Sequence, residues 1–273
     1  MNTHGLWMKH VETGERTFLE ADTVVIESTY GDRTHDPVAM ETELADALRK
    51  VAARGGVAVV PVFAVGRAQA ILHAIGQLKQ QGRIPTALPV FLDSPMAVAT
   101  TDLYSRHPQA HKLNAAELQT LRHVAHMVQT PEASKALASH HGPMVILSAS
   151  GMATGGRVLH HLALHLPNHR NMVILTGFQS PGTRGANLAA GATTLRMHGK
   201  DIPVKAEIVQ LSSASAHADA NQLISWLGKM STPASQVYVV HGENQSTDAL
   251  RQRLERELHM RALVPEYGSV WPG

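Results

Sequence analysis

The chain contains no cysteine among its 273 residues. That absence excludes a disulfide framework, a thiolate zinc site and a cysteine nucleophile, so any metal must be held by histidine and carboxylate. Long apolar runs are missing too: nothing approaches the roughly 20 residues of a membrane-spanning helix. The N-terminus, MNTHGLWMKHVETGERTF, lacks the basic-then-apolar order of a secretion signal. No membrane partner is expected, and the cytoplasm is the expected location. Net charge is only +2, with a sequence pI near 9.0, which argues weakly for a polyanionic partner. A nucleotide-binding α/β domain is a further reading, but no GxGxxG follows the first strand and no GxxxxGK[ST] occurs anywhere. Internal repeats and low-complexity tracts are absent as well.

What is present suits a buried core. Hydrophobic residues make up 44% of a chain long enough for one large or two ordinary domains. Short apolar runs rich in β-branched residues, DTVVIES (22–28), GVAVVPVF (56–63), LPVFLD (88–93), PMVILSAS (143–150) and NMVILTGF (171–178), read as buried parallel strands. Helical stretches separate them, among them METELADALRKVAARGG, GRAQAILHAIGQLKQQG, PEASKALASHHG and GGRVLHHLALHL. The fold class is therefore α/β. After residue 190 the strands ATTLRMHG and IPVKAEIVQL follow closely on one another, which suggests a second structural unit. The first 20 residues show neither period nor caps, and they are expected to be poorly ordered.

In open α/β sheets, functional residues gather at the carboxyl ends of strands. Here those ends read ESTYGDRTH, PVFAVGRAQ, LDSPMA, SASGMATGGR and GFQSPGTRG. Arg67 and Arg157 each follow glycine at the start of a helix, an arrangement that suits phosphate; tight turns alone also explain such glycines. With Arg184 as a third, the loops are expected to line a groove for a phosphodiester backbone. Glu27 ends the first strand and reads either as an acid/base partner or as a turn carboxylate. Asp219 reads as the N-cap of ANQLISWL, a role that leaves the neighbouring His217 unexplained. His241 ends the run VYVV; a lone histidine there is as readily structural as a ligand, and the chain's 18 histidines are scattered.

Seven motifs in order, IESTYGDRTH, PVFAVGRAQ, LDSPMA, SASGMATGGRVLHHL, GFQSPGTRG, SAHAD and VVHGE, span nearly the whole chain. In these, residues 22–273 resemble the metallo-β-lactamase/β-CASP nucleases, the group that includes ribonuclease J and the endonuclease of mRNA 3′-end cleavage. The match is closest to the bacterial and archaeal RNA-processing members. The resemblance implies a β-CASP domain over 38–165, with a parallel sheet flanked by helices. It implies a residual metallo-β-lactamase segment over 1–37 and, over 166–273, the C-terminal half of an αββα sandwich with an RNA-specificity segment. By the same resemblance Glu27 and His217 are the catalytic pair that protonates the leaving oxygen, and His241 ligates one of two zinc ions. Arg67, Ser150, Arg157 and Arg184, in the strand-end loops, are expected to bind substrate. RNA is the implied partner; DNA and a homodimer are left open.

The sequence departs from the family in one respect. The HxHxDH run and the further histidine and aspartate that supply most zinc ligands are not among these residues; His4 and His10 lack that spacing. At most one partial zinc site is expected, with an exposed sheet face and edge near the C-terminal strands. The chain is expected to be the C-terminal portion of a zinc-dependent ribonuclease, from a truncated or mis-started reading frame and inactive alone. The alternative is a non-catalytic RNA-binding or assembly partner of an intact nuclease.

Overall fold

The computed structural model describes residues 21–36, 38–140, 142–211 and 213–270. The expectation of poor order over the first 20 residues, together with His4 and His10, lies outside them. The strands are β1 (Thr23–Glu27), β2 (Val57–Pro61), β3 (Val90–Asp93), β4 (His126–Met127), β5 (Met144–Ser148), β6 (Met172–Leu175), β7 (Thr194–Met197), β8 (Lys200–Pro203), β9 (Glu207–Gln210), β10 (Gln236–Val240) and β11 (Ala262–Leu263). The α-helices are α1 (Met40–Ala53), α2 (Arg67–Gln80), α3 (Pro95–Arg106), α4 (Ala115–His123), α5 (Pro131–Ala136), α6 (Val158–His165), α7 (Arg184–Ala189), α8 (Ala220–Leu227) and α9 (Asn244–Leu258).

These elements form two compact units. One runs from residue 37 to Ala214; the other combines the segment up to Asp36 with Ser215–Gly273. The larger unit is built on a six-stranded, all-parallel sheet in the order β4-β3-β5-β2-β6-β9. Its central strands are covered on both faces, so every residue of β2, β5 and β6 is buried, which is why they read as unbroken apolar runs rather than alternating ones. Helices α1 and α2 bury Leu44, Leu48, Ile71, Leu72 and Ile75 on one face. Helix α6 and the β7–β8 hairpin bury Leu162, Leu195 and Met197 on the other. Each such side chain contributes about 1.5–3 kcal/mol of burial.

The larger unit continues past residues 165 and 166. Strands β6 and β9 pair in register from Met172↔Glu207 to Leu175↔Gln210, so they extend the same sheet as β2. IPVKAEIVQL, read as one strand, is two: β8 closes an antiparallel hairpin with β7, and β9 joins the large sheet. Helices α3 and α4 carried no clear apolar period in the sequence, because α3 buries only Ala97 and Thr101 and α4 only Leu121. Their starts are nonetheless well marked. Ser94 caps α3 ahead of Pro95, and Asn114 with Glu117 forms a capping box on α4.

The smaller unit holds a parallel sheet ordered β1-β10-β11, packed on α8 and α9 through Val24, Ile26, Leu223, Val237, Leu250 and Leu254. On the other side of β1, Val25 is 65% exposed, and among the described residues β1 pairs only with β10. An apolar residue thus faces solvent on an edge strand. No helix among the described residues is long and apolar enough to cross a membrane.

One buried group gives the larger unit an acid-sensitive point. His165, at the end of α6, is buried, and its Nε2 has no hydrogen-bond partner. Burial, helped by the nearby His161, lowers its pKa from 6.5 to about 4. The unfolded chain therefore takes up a proton below pH 6.5 that the folded chain refuses. Stability is lost as pH falls from 6.5 to about 4, by about 3 kcal/mol in all. His165→Leu is expected to flatten that slope in urea unfolding curves recorded across this range; an unchanged slope would place the acid sensitivity elsewhere.

Candidate active site

The geometry of the site begins with strand register. Strands β1 and β10 run parallel with Glu27 opposite Val240, so Glu27 and the residue after Val240, His241, emerge side by side at the carboxyl edge. Two close approaches lock the turn. Buried Ser28 donates through Oγ to the Val240 carbonyl at 2.8 Å, and a Cβ on Gly242 would lie 2.4 Å from that Oγ and 2.6 Å from the Ser28 carbonyl oxygen. Only glycine fits after His241, whose own backbone is left-handed at φ 54°. Gly31, in the ESTYG run, is constrained in the same way by the Ser246 carbonyl, 2.3 Å from where its Cβ would stand.

His217 arrives from the turn before α8. Asp219 stands at the N-cap of that helix: its side chain accepts the Gln222 N–H at 2.8 Å, and the Gln222 side chain accepts the Asp219 N–H at 3.0 Å. The other Asp219 oxygen accepts the His35 N–H at 3.0 Å, and His35 Nε2 donates to the His217 carbonyl at 2.9 Å. The segment after ESTYG therefore clasps the SAHAD turn and sets where His217 stands.

Glu27 is the hub. Its Oε2 lies 2.8 Å from His217 Nδ1 and 4.0 Å from His241 Nδ1, and its Oε1 accepts the Ala218 N–H at 3.3 Å. Burial pushes the Glu27 carboxyl up, but hydrogen bonds from His217 and Thr29 outweigh it and hold the pKa below the ordinary carboxylate value. The two imidazoles stack with centroids 5.4 Å apart. Thr29, buried, sits between them, with Oγ1 3.3 Å from His217 Nδ1 and 3.1 Å from His241 Nδ1. Glu27, His217 and His241 each offer a ligand atom within 4.8 Å of the others. One carboxylate and two imidazoles are donors that zinc accepts, so the residues present fit a partial zinc site. Among the described residues this is the one such group.

The residues expected to line a phosphate groove have more varied surroundings. Arg67 begins α2 and reaches toward Gly177 at the end of β6. Ser150 Oγ accepts the N–H groups of Thr154 at 3.0 Å and Gly155 at 3.3 Å, bracing the SASGMATGGR loop from within. Arg157 is directed inward. Its Nη1 donates to Asp93 Oδ1 at 2.7 Å and its Nη2 to the Gln129 carbonyl at 2.8 Å. Arg184 donates through Nε to the Arg196 carbonyl at 3.0 Å, and through Nη1 to the carbonyls of Ala153 and Thr154, both at 3.4 Å. In this structure the charge of Arg157 is therefore matched by a buried carboxylate, and Arg184 is spent largely on loop carbonyls.

Sequence reasoning left several participants unassigned: Asp93, His161, Thr29 and His35. Asp93 ends an apolar strand and is fully buried, held by Arg157, by His161 Nε2 at 2.6 Å and by Ser134. A carboxylate closing an apolar run was a usable signal, because a buried charge demands a partner.

Comparison with known proteins identifies two domains in the chain. Residues 68–188 match the Beta-Casp domain, and residues 201–265 match the Zn-dependent metallo-hydrolase RNA specificity domain. The chain is 38% identical over 248 residues to ribonuclease TTHA0252 of Thermus thermophilus, covering 86% of this chain and 54% of that protein. It is 30% identical over 271 residues to an RNase J-like protein of Methanocaldococcus jannaschii, covering 94% of this chain and 62% of that one. To transcription termination factor FttA of Methanosarcina mazei it is 29% identical over 264 residues, covering 90% of this chain and 41% of the factor. The chain thus spans about half the length of the curated relatives it matches. Two domain matches in family order place this chain in the β-CASP family.

Proposed function

We propose that this chain carries the proton-donating pair and one metal ligand of a zinc-dependent hydrolase that cuts RNA phosphodiester bonds. The observation that carries the reading is the convergence of Glu27, His217 and His241 at the paired ends of β1 and β10. In this role His217, oriented by the Glu27 carboxylate 2.8 Å away, gives a proton to the departing 3′ oxygen. Glu27 stabilises the imidazolium before transfer and holds the ring in place afterwards. His241 would hold zinc. The chemistry supplied by bound zinc is polarisation of the scissile phosphate and activation of a water.

Two zinc ions belong to the intact enzyme on this reading, and these residues supply one partial site. A catalytic zinc takes about three protein ligands. With Glu27 and His217 engaged in proton transfer, His241 alone is left for metal. Arg67 and the loop braced by Ser150 are the candidate phosphate contacts. Arg157 and Arg184 contribute by shaping that loop.

The purified 273-residue chain is expected to bind labelled single-stranded RNA with an affinity that falls steeply with salt. It is expected to leave the RNA uncut and to take up zinc only weakly. Tight stoichiometric zinc with robust cleavage would overturn the partial-site reading. Failure to bind RNA at low salt would count against RNA as the ligand.

A further inference from the structure

Thr29 lies where three groups compete for one hydroxyl. Its Oγ1 is 3.1 Å from the His241 carbonyl oxygen, 3.1 Å from His241 Nδ1 and 3.3 Å from His217 Nδ1. A hydroxyl has one proton to give and two lone pairs with which to accept. The His241 carbonyl can only accept, so the Thr29 proton goes there. Both ring nitrogens then face an acceptor, and each must carry a proton to bond it. His217 Nδ1 also faces the Glu27 carboxylate at 2.8 Å, a second acceptor that demands the same proton. His241 Nδ1 has no such insurance, since Glu27 Oε2 is 4.0 Å away.

We propose that Thr29 is a positioning residue that fixes both histidines as Nδ1–H tautomers, so that the reactive nitrogen of each is Nε2. The proposal rests on the active-site reading above. In that setting the inward atoms of the cluster, Glu27 Oε2 and the two Nδ1 atoms, are joined in a hydrogen-bonded knot through Thr29, and the outer Nε2 of His241 is the nitrogen left for a metal. His241 offers its Nε2 lone pair to zinc, and a second proton taken up by His217, the one it can transfer, goes to Nε2. The ring nitrogen that meets a metal or substrate is set by the hydrogen bond that the other nitrogen makes. Thr29 makes that bond for His241 and shares it with Glu27 for His217.

Two-bond ¹H–¹⁵N correlation spectra of the ¹⁵N-labelled chain, without RNA or zinc, test this at about pH 8.5, some two units above the ordinary imidazole value. His217 and His241 are expected to show Nδ1 in the protonated range and Nε2 in the unprotonated range. Thr29→Val, equal in shape but without the hydroxyl, is expected to move His241 Nδ1 to the unprotonated range and to leave His217 on Glu27. Thr29→Ser is expected to restore the wild-type pattern, as a purely structural role for the methyl group would not. A wild-type His241 already protonated on Nε2 overturns the proposal, whatever the variants do. So does a folded Thr29→Val protein with an unchanged His241. Because the sample contains neither RNA nor zinc, this outcome is separate from the RNA-binding test of the hydrolase reading.

Discussion

Replacing His217 with alanine is expected to lower the rate of RNA cleavage by about 10²- to 10⁴-fold, the usual contribution of a positioned general acid. The protein for this assay is the chain joined to a metal-binding half that carries HxHxDH. The expectation follows from position: His217 is held at both ends, its Nδ1 on Glu27 at 2.8 Å and its backbone carbonyl on His35 at 2.9 Å. The loss belongs in kcat with KM little changed, because the proton is needed only as the leaving oxygen departs. Zinc content should be unaltered. If zinc falls with the rate, His217 is a ligand and the division of labour with His241 is wrong. Glu27→Gln keeps a hydrogen-bonding group beside His217 but removes the charge, so it should cost less than the loss of the imidazole itself.

The second large effect falls on stability. Asp93→Asn is expected to destabilise the protein by about 3–5 kcal/mol, because it leaves Arg157 and His161 facing a neutral amide in a site from which water is excluded. Burial pushes the Asp93 carboxyl up, yet the bonds from His161, Ser134 and Arg157 prevail and hold its pKa below the ordinary value. That contribution is present above the unfolded carboxylate pKa and is lost as pH falls through the lower, folded one. The control is Asp201→Asn, whose partner Arg196 stands 3.2 Å away with both side chains mostly exposed. A surface pair of that kind is worth less than about 1 kcal/mol. Equal urea midpoints for the two variants would mean that the Asp93 cluster is not a buried charge network in solution.

Much of this was legible in the sequence, and the physical reasons differ by element. Strands β2, β5 and β6 were visible because two-sided burial demands unbroken apolar runs, and their loops were visible because strand ends cannot stay apolar. Glu27, His217 and His241 stood out as polar residues where the apolar pattern stops. Their convergence was not legible, since it depends on the β1–β10 register across more than 200 residues of intervening chain. Helices α3 and α4 escaped notice because packing gives them little to bury, so only their caps announced them. That β6 and β9 extend the large sheet was not legible, because they look alike in sequence whichever sheet they join, and pairing alone decides. Arg157 and Arg184 were read for their charge and the glycines near them. Which way a guanidinium turns is set by buried partners such as Asp93, far away in the chain.

On the proposed function, Glu27, His217 and His241 form one part of a zinc-dependent hydrolase site, and the HxHxDH ligands that would complete it are not among these 273 residues. Sequencing the coding DNA upstream of the Met1 codon tests it most directly. The expected result is an in-frame segment bearing HxHxDH, followed by a further histidine and aspartate. A stop codon preceded by unrelated sequence would contradict it and leave RNA binding without cleavage as the function of this chain.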